Sequence, residues 1–248
     1  GNTSGSATSI CTNTSTTLTG GTASGGSGTY TYLWESSSNN STWATATGTS
    51  NAANYTTASL TANTYFRRTV TSGGCSDVAA SILVTVNPVI SGNTSGSATS
   101  ICTNTSTTLT GGTASGGSGT YTYLWESSSN NSTWATATGT SNAANYTTAS
   151  LTANTYFRRT VTSGGCTDVA ASILVTVNPV ISGNTSGSAT SICTSTSTTL
   201  TGGTATGGSG TYTYLWESST DNSTWATATG TSNAANYTTA SLTANTYF

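Results

Sequence analysis

Histidine, lysine and methionine are absent, and charge of either sign is scarce: Lys and Arg together number 4, Asp and Glu 6, in 248 residues. Without lysine an intramolecular isopeptide cross-link is excluded. Without histidine, general acid–base work lacks its commonest partner and a metal site its commonest ligand. The sequence therefore predicts no enzyme, no catalytic residue, no cofactor and no metal. The basic residues are Arg67, Arg68, Arg158 and Arg159; the acidic ones are Glu35, Asp77, Glu126, Asp168, Glu217 and Asp221. They form no basic patch, so the footprint of a nucleic-acid binder is missing. Apolar runs last only a few residues, which predicts no membrane-spanning helix. Proline occurs at Pro88 and Pro179 alone.

What is present is repetition. Ile10-Cys11 returns as Ile101-Cys102 and Ile192-Cys193, a period of 91 residues. That is too long for a solenoid coil and suits one sandwich domain. The boundaries predicted are 1–88, 89–179 and 180–248, the third copy incomplete, as in a window on a longer array. The first two copies differ at Ser76 against Thr167; the third departs at Ser195, Thr206, Thr220 and Asp221. Both prolines fall at the joints, where they stiffen the crossing and stop strand pairing from running on.

Each copy centres on Gly28–Trp43, GTYTYLWESSSNNSTW. Tyr30, Tyr32 and Trp34 alternate with Thr31, Leu33 and Glu35, the period of a strand. Asn39-Asn40 supplies a hairpin turn that tolerates positive φ, and Trp43 opens the returning strand. Before it, Ile10-Cys11 and Thr16–Thr19 read as short strands after a polar leading loop over Gly1–Ser9. Gly20–Gly28 is a flexible turn, without the spacing or lysine of a phosphate loop. After an indeterminate Thr45–Asn54, strands are predicted over Tyr55–Leu60, Thr64–Thr71 and Ala80–Val86. The parity of Thr64–Thr71 is ambiguous, with Tyr65, Arg67 and Thr69 on one face and Phe66, Arg68 and Val70 on the other; Phe66 and Val70 are placed inward, which makes Arg68 costly unless it snorkels or pairs. Glu35 and Arg67 sit on neighbouring strands and predict a cross-strand ion pair. Seven or so short strands give an all-β sandwich.

Five cysteines without histidine read as disulfides in an oxidising, extracytoplasmic setting. Two connectivities fit the period. Cys11–Cys75 and Cys102–Cys166 would each staple one repeat, with the partner of Cys193 past the end. Cys75–Cys102 and Cys166–Cys193 would instead bridge neighbours. The first is favoured because each domain then carries its own staple, contributing up to roughly 4 kcal/mol.

The series Ile10-Cys11, Leu18, Tyr30-x-Tyr32-x-Trp34, Trp43, Tyr55, Leu60, Thr64-Tyr65-Phe66-Arg67-Arg68, Gly73-Gly74-Cys75 and Val84-x-Val86-Asn87-Pro88 resembles PKD-like/immunoglobulin-like repeats. Such repeats occur in large secreted surface proteins of Bacteroidota, gliding adhesins among them. The resemblance covers the whole chain. It implies tandem immunoglobulin-like β-sandwiches forming an extended rod, export to the cell surface, and a stalk or filament role. Two departures stand out: the copies are unusually alike, and acidic residues at the joints are too few for calcium-stiffened linkers.

Trp34, Trp125 and Trp216 are assigned to the core. Trp43, Trp134 and Trp225 are candidate platforms for a sugar ring, repeated along a rod and gaining by avidity. The expected partners are neighbouring copies of the repeat, with lateral bundling, and surface glycans as the alternative. The N-x-S/T sequons at Asn2, Asn13, Asn39, Asn40 and Asn54 follow from composition and are read as surface polar residues. Thr-rich strands invite ice binding as a lesser reading, but threonine is a good strand former in any case.

Overall fold

A computed structural model describes residues 8–187 and 190–248. Asn2 and most of the leading loop lie outside the described residues; Thr8 and Ser9 belong to a strand. The described chain packs as two units: Gly1–Ser97 with Thr108–Thr148 and Tyr156–Leu174, and Ala98–Thr107 with Ala149–Thr155 and Val175–Phe248.

The first unit holds the whole described first repeat. Its strands are β1 (Thr8–Cys11), β2 (Thr17–Leu18), β3 (Thr31–Ser37), β4 (Ala44–Thr45), β5 (Tyr55–Thr56), β6 (Thr64–Ser72), β7 (Cys75–Val78) and β8 (Ile82–Asn87). One sheet runs β1-β8-β6-β3-β4, with β7 also on β6; β2 and β5 pair in a second. This is an immunoglobulin-like sandwich. The β1·β8 pair is parallel and the other pairs of this repeat are antiparallel.

The aromatic strand forms as its alternation predicts, and it lies against β6 in the register Trp34↔Arg68 and Glu35↔Arg67. Ile10, Leu18, Trp34, Ala46, Tyr55, Phe66 and Val84 make the core. Trp34 is fully buried and stacks on Tyr55 at 5.8 Å; Tyr55 in turn meets Phe66 at 5.6 Å. The stretch that showed no strand pattern wraps over Trp34, whose indole N–H donates to Ala52 O at 3.1 Å. In the hairpin, Asn40 takes the positive φ (57°), while Asn39 Oδ1 accepts from the N–H groups of Ser41 and Thr42.

Three strands are shorter than predicted; of Thr16–Thr19 only Thr17–Leu18 forms a strand. Beyond Thr56 pairing is intermittent, with Thr57 N donating to Thr16 O and Leu60 bridging Thr14. Ala79 N turns aside to Arg68 O, so the last strand starts at Ile82.

From the second repeat, the first unit also contains β10 (Thr108–Leu109), β11 (Thr122–Ser128), β12 (Ala135–Thr136), β13 (Tyr146–Thr147), β15 (Cys166–Val169) and all but the first residue of β14 (Thr155–Ser163). Their pairing repeats the first copy, with Trp125↔Arg159 and Glu126↔Arg158. The second unit carries β9 (Thr99–Cys102), which pairs in parallel with the end of β16 (Ile173–Asn178), and the third repeat. There, β17 (Thr199–Leu200) pairs β20 (Tyr237–Thr238), and β18 (Glu217–Ser218) pairs β19 (Ala226–Thr227). Leu200, Trp216, Ala228 and Tyr237 form its core.

The disulfides correct the sequence reading. Cys11 is bonded to Cys166, 155 residues away; Cys75, Cys102 and Cys193 are free and exposed. Neither Cys11–Cys75 with Cys102–Cys166, nor the alternative pairing of neighbours, is formed. The reason is topological. Cys11 lies opposite Asn87 at the end of β8, whereas Cys75 opens β7 at the other end of the same interrupted run. A dozen residues at ~3.3 Å each separate those ends by up to about 40 Å. A disulfide needs Cα atoms within roughly 7 Å. The two cysteines of one repeat stand at opposite poles of its sheet.

Candidate functional site

Three constellations carry the unusual chemistry of the chain: the Trp43 face, the buried arginines, and the contact between the first and second repeats inside the first unit.

Trp43 is half-buried, and the Arg67 guanidinium lies over its ring at 4.3 Å. Arg67 Nε also donates to Glu35 Oε2 at 2.8 Å, the cross-strand pair the sequence predicts. Arg158, Trp134 and Glu126 reproduce the arrangement in the second repeat. A ring face covered by a cation has no room for a sugar. Trp225, 41% exposed, borders a cleft of about 600 Å³ with Tyr212, Tyr214, Trp216 and Phe248.

Arg68 and Arg159 are fully buried. Arg159 donates from Nε to Asn93 Oδ1 at 3.0 Å, from Nη1 to Ala144 O at 2.8 Å, and from Nη2 to Gly112 O. Asn93 Nδ2 in turn donates to Asp168 Oδ2 at 3.0 Å, linking the cation to a carboxylate. Desolvation lowers the Arg159 pKa, opposed by the nearby Tyr123. Gly111 is required by this approach: a Cβ there would stand 1.9 Å from Arg159 Nη1 and 2.4 Å from Ala144 O. In the first repeat, Arg68 donates to Ala53 O and Gly21 O in the same way. The sequence marks Arg68 as costly and does not name its partners. For Arg159 the missed signal is Asn93-x-Ser95 near the start of its copy, whose Asn93 accepts from Nε and whose Ser95 accepts from the Arg159 N–H.

At the repeat contact, the Gly164-Gly165 turn between β14 and β15 lies against β1. Asn87 Nδ2 donates to Ser9 Oγ and to Gly164 O, each at 2.6 Å, and Ser9 Oγ donates to Gly164 O at 3.1 Å. A Cβ on Gly165, whose φ is +81°, would stand 2.3 Å from Ser9 O. Gly117 N donates to Pro88 O at 2.9 Å. Ile90, Ala114, Val161 and Cys166 form a small apolar core there, with Cys11, Tyr121 and Tyr123 packed against it. The Cys11–Cys166 bridge closes the contact covalently. Sequence reasoning placed Asn87-Pro88 and the Gly-Gly-Cys turn separately; that Asn87 of the first copy meets Gly164 of the second follows only from the strand ends they terminate.

A comparison with curated proteins finds no sequence match. Among solved structures, titin domains A168–A170 are similar over 99% of this chain and 88% of that chain, at 13% identity and a TM-score of 0.41. Sidekick-1 immunoglobulin domains 1-5 are similar over 97% of this chain and 52% of theirs, at 12% identity and 0.40. The N-terminal four Ig domains of Dscam1 isoform 6.9 give 98% and 66%, at 9% identity and 0.32. The family described as "Domain of unknown function (DUF8696)" matches three times, over residues 1–88, 91–179 and 181–248, and this chain belongs to it as three tandem copies.

Proposed function

We propose that the chain is a structural repeat region, the stalk or fibre of a large extracellular surface adhesin of the kind the Bacteroidota repeats represent. Its role is non-catalytic. Its partners are neighbouring copies of the same repeat, at 1–88, 89–179 and 180–248, stacked as an extended rod and associating laterally through faces repeated at equal intervals. The observation that carries this reading is the contact between the first two repeats. It combines a disulfide, three hydrogen bonds (Ser9 and Asn87 to Gly164 O, and Gly117 N to Pro88 O) and an apolar cluster between the two sandwiches. A bridge of that kind also supports an oxidising location outside the cytoplasm.

Imaging of the full-length parent on cells tests the proposal. Beaded rods with roughly 35–45 Å per repeat are expected from the strand lengths. Compact globules would refute it.

A second reading makes the Trp43-type faces glycan platforms, repeated along a rod and gaining by avidity. The cations over Trp43 and Trp134 weigh against it. A glycan array with binding abolished by Trp225→Ala would support this reading; an array without hits would remove it.

A further inference from the structure

We propose that the Cys11–Cys166 bridge is a mechanical bypass: tension along the chain crosses from the first repeat to the second through sulfur, and the chain between the two cysteines carries none of it. The reading of the chain as a stalk supplies the use for such a device; the bypass itself follows from connectivity.

A force applied at the two ends reaches Cys11 at the end of β1, passes through the bond, and leaves from Cys166 at the start of β15. Everything between them lies on a closed loop. That loop contains β2 to β14, and with them Trp34, Trp125, Arg68 and Arg159, the buried centres of both repeats. While the bond is intact, unfolding those strands releases no length to the pulling ends. The 155-residue separation, at about 3.4 Å per extended residue, hides about 530 Å of contour.

The period extends the rule. Cys75 holds in the first repeat the place that Cys166 holds in the second, and Cys102 holds the place of Cys11. In an array of these repeats, each repeat gives one cysteine to its successor and takes one from its predecessor. Successive loops overlap, because Cys102 falls inside the loop closed by Cys11 and Cys166. A repeat that opens under load is still spanned by a bridge.

Single-molecule stretching of this chain, held at its two termini through peptide tags, tests the proposal. Dithiothreitol reduces the bridge to two thiols and is itself oxidised to its cyclic disulfide. The expected result is a gain in full extension of about 530 Å on reduction. Cys11→Ser should show the longer extension without reductant and no further gain with it. Three results would overturn the proposal: no gain on reduction, a gain near 220 Å as a Cys11–Cys75 loop would give, or Cys11→Ser stretching like the oxidised parent chain. The measurement reads the covalent path whether or not the repeats align as a rod. Imaging reads the rod whether or not the bridge forms, so the two proposals fail separately.

Discussion

Replacing Arg159 by methionine asks whether the buried guanidinium organises the second repeat or is merely tolerated by it. The side chain is 0% exposed, and Nε, Nη1 and Nη2 each donate to a named oxygen. Hydrogen bonds from a charged group contribute about 1.5–3 kcal/mol each. Against them stands the desolvation of the cation, several kcal/mol in a protein interior. In the parent chain these terms largely offset one another. Methionine refills much of the stem volume, but it leaves Ala144 O, Gly112 O and Asn93 Oδ1 without their donor. Each orphaned buried acceptor costs about 1–3 kcal/mol, and Asn93 can turn away to recover part. The expected loss is therefore about 3–5 kcal/mol, the range for deleting one partner of a buried charge. For a domain of this size that lowers Tm by more than about 12 °C. Urea unfolding followed by tryptophan fluorescence reads it directly, because the Trp125 ring is 5.9 Å from the guanidinium. A companion Asn93→Ala should lose part of the same energy, and the double variant should lose clearly less than the sum of the two. If Arg159→Met unfolds at the parent urea concentration or above it, the arginine is no organiser and the reasoning fails.

The repeat contact and the third hairpin give two further tests. Gly165→Ala should push the turn off β1 and lower the yield of the Cys11–Cys166 bridge, read by thiol titration; Gly74→Ala, at nearly the same φ but facing open space, should leave that yield unchanged. Equal yields in both variants would show that the Ser9 contact does not guide the bond. Asp221 stands where the other copies have asparagine, and N–H groups of Thr224 and Ser223 with the Ser219 hydroxyl hold its pKa down to about 2 from 3.8. A depressed carboxylate pKa stabilises the fold above the unfolded value and the gain is lost as pH falls. The stability gain should fade between about pH 4 and pH 2, and the Thr224 amide resonance of the folded chain should move with a midpoint near pH 2, while Thr42 and Thr133, served by Asn39 and Asn130, stay put. Asp221→Asn should abolish the shift; an unchanged profile would refute the assignment.

Much of the fold is legible in the sequence because its signals are local. Alternation in Thr31–Glu35 puts Trp34 on the core face wherever the strand lies; in Thr64–Thr71 the parity alone was ambiguous, and the structure buries the face of Phe66, Arg68 and Val70 chosen for its apolar residues. The 91-residue period sets the copy number without any coordinates. The Glu35–Arg67 pair follows from the order of strands common to such sandwiches. The shortened β5 and the break before β8 were not legible, because they depend on where single carbonyls of other strands happen to lie, such as Arg68 O for Ala79 N.

Composition and periodicity alone determined an all-β chain of near-identical repeats with aromatic cores and with cysteines recurring at the same places in each copy. Only the tertiary structure decided which cysteines pair. Spacing along the chain favoured a staple within each repeat, but a strand carries its two ends to opposite poles of the sheet. Proximity there belongs to the neighbouring copy, and a bond that short follows distance in space and not distance in sequence.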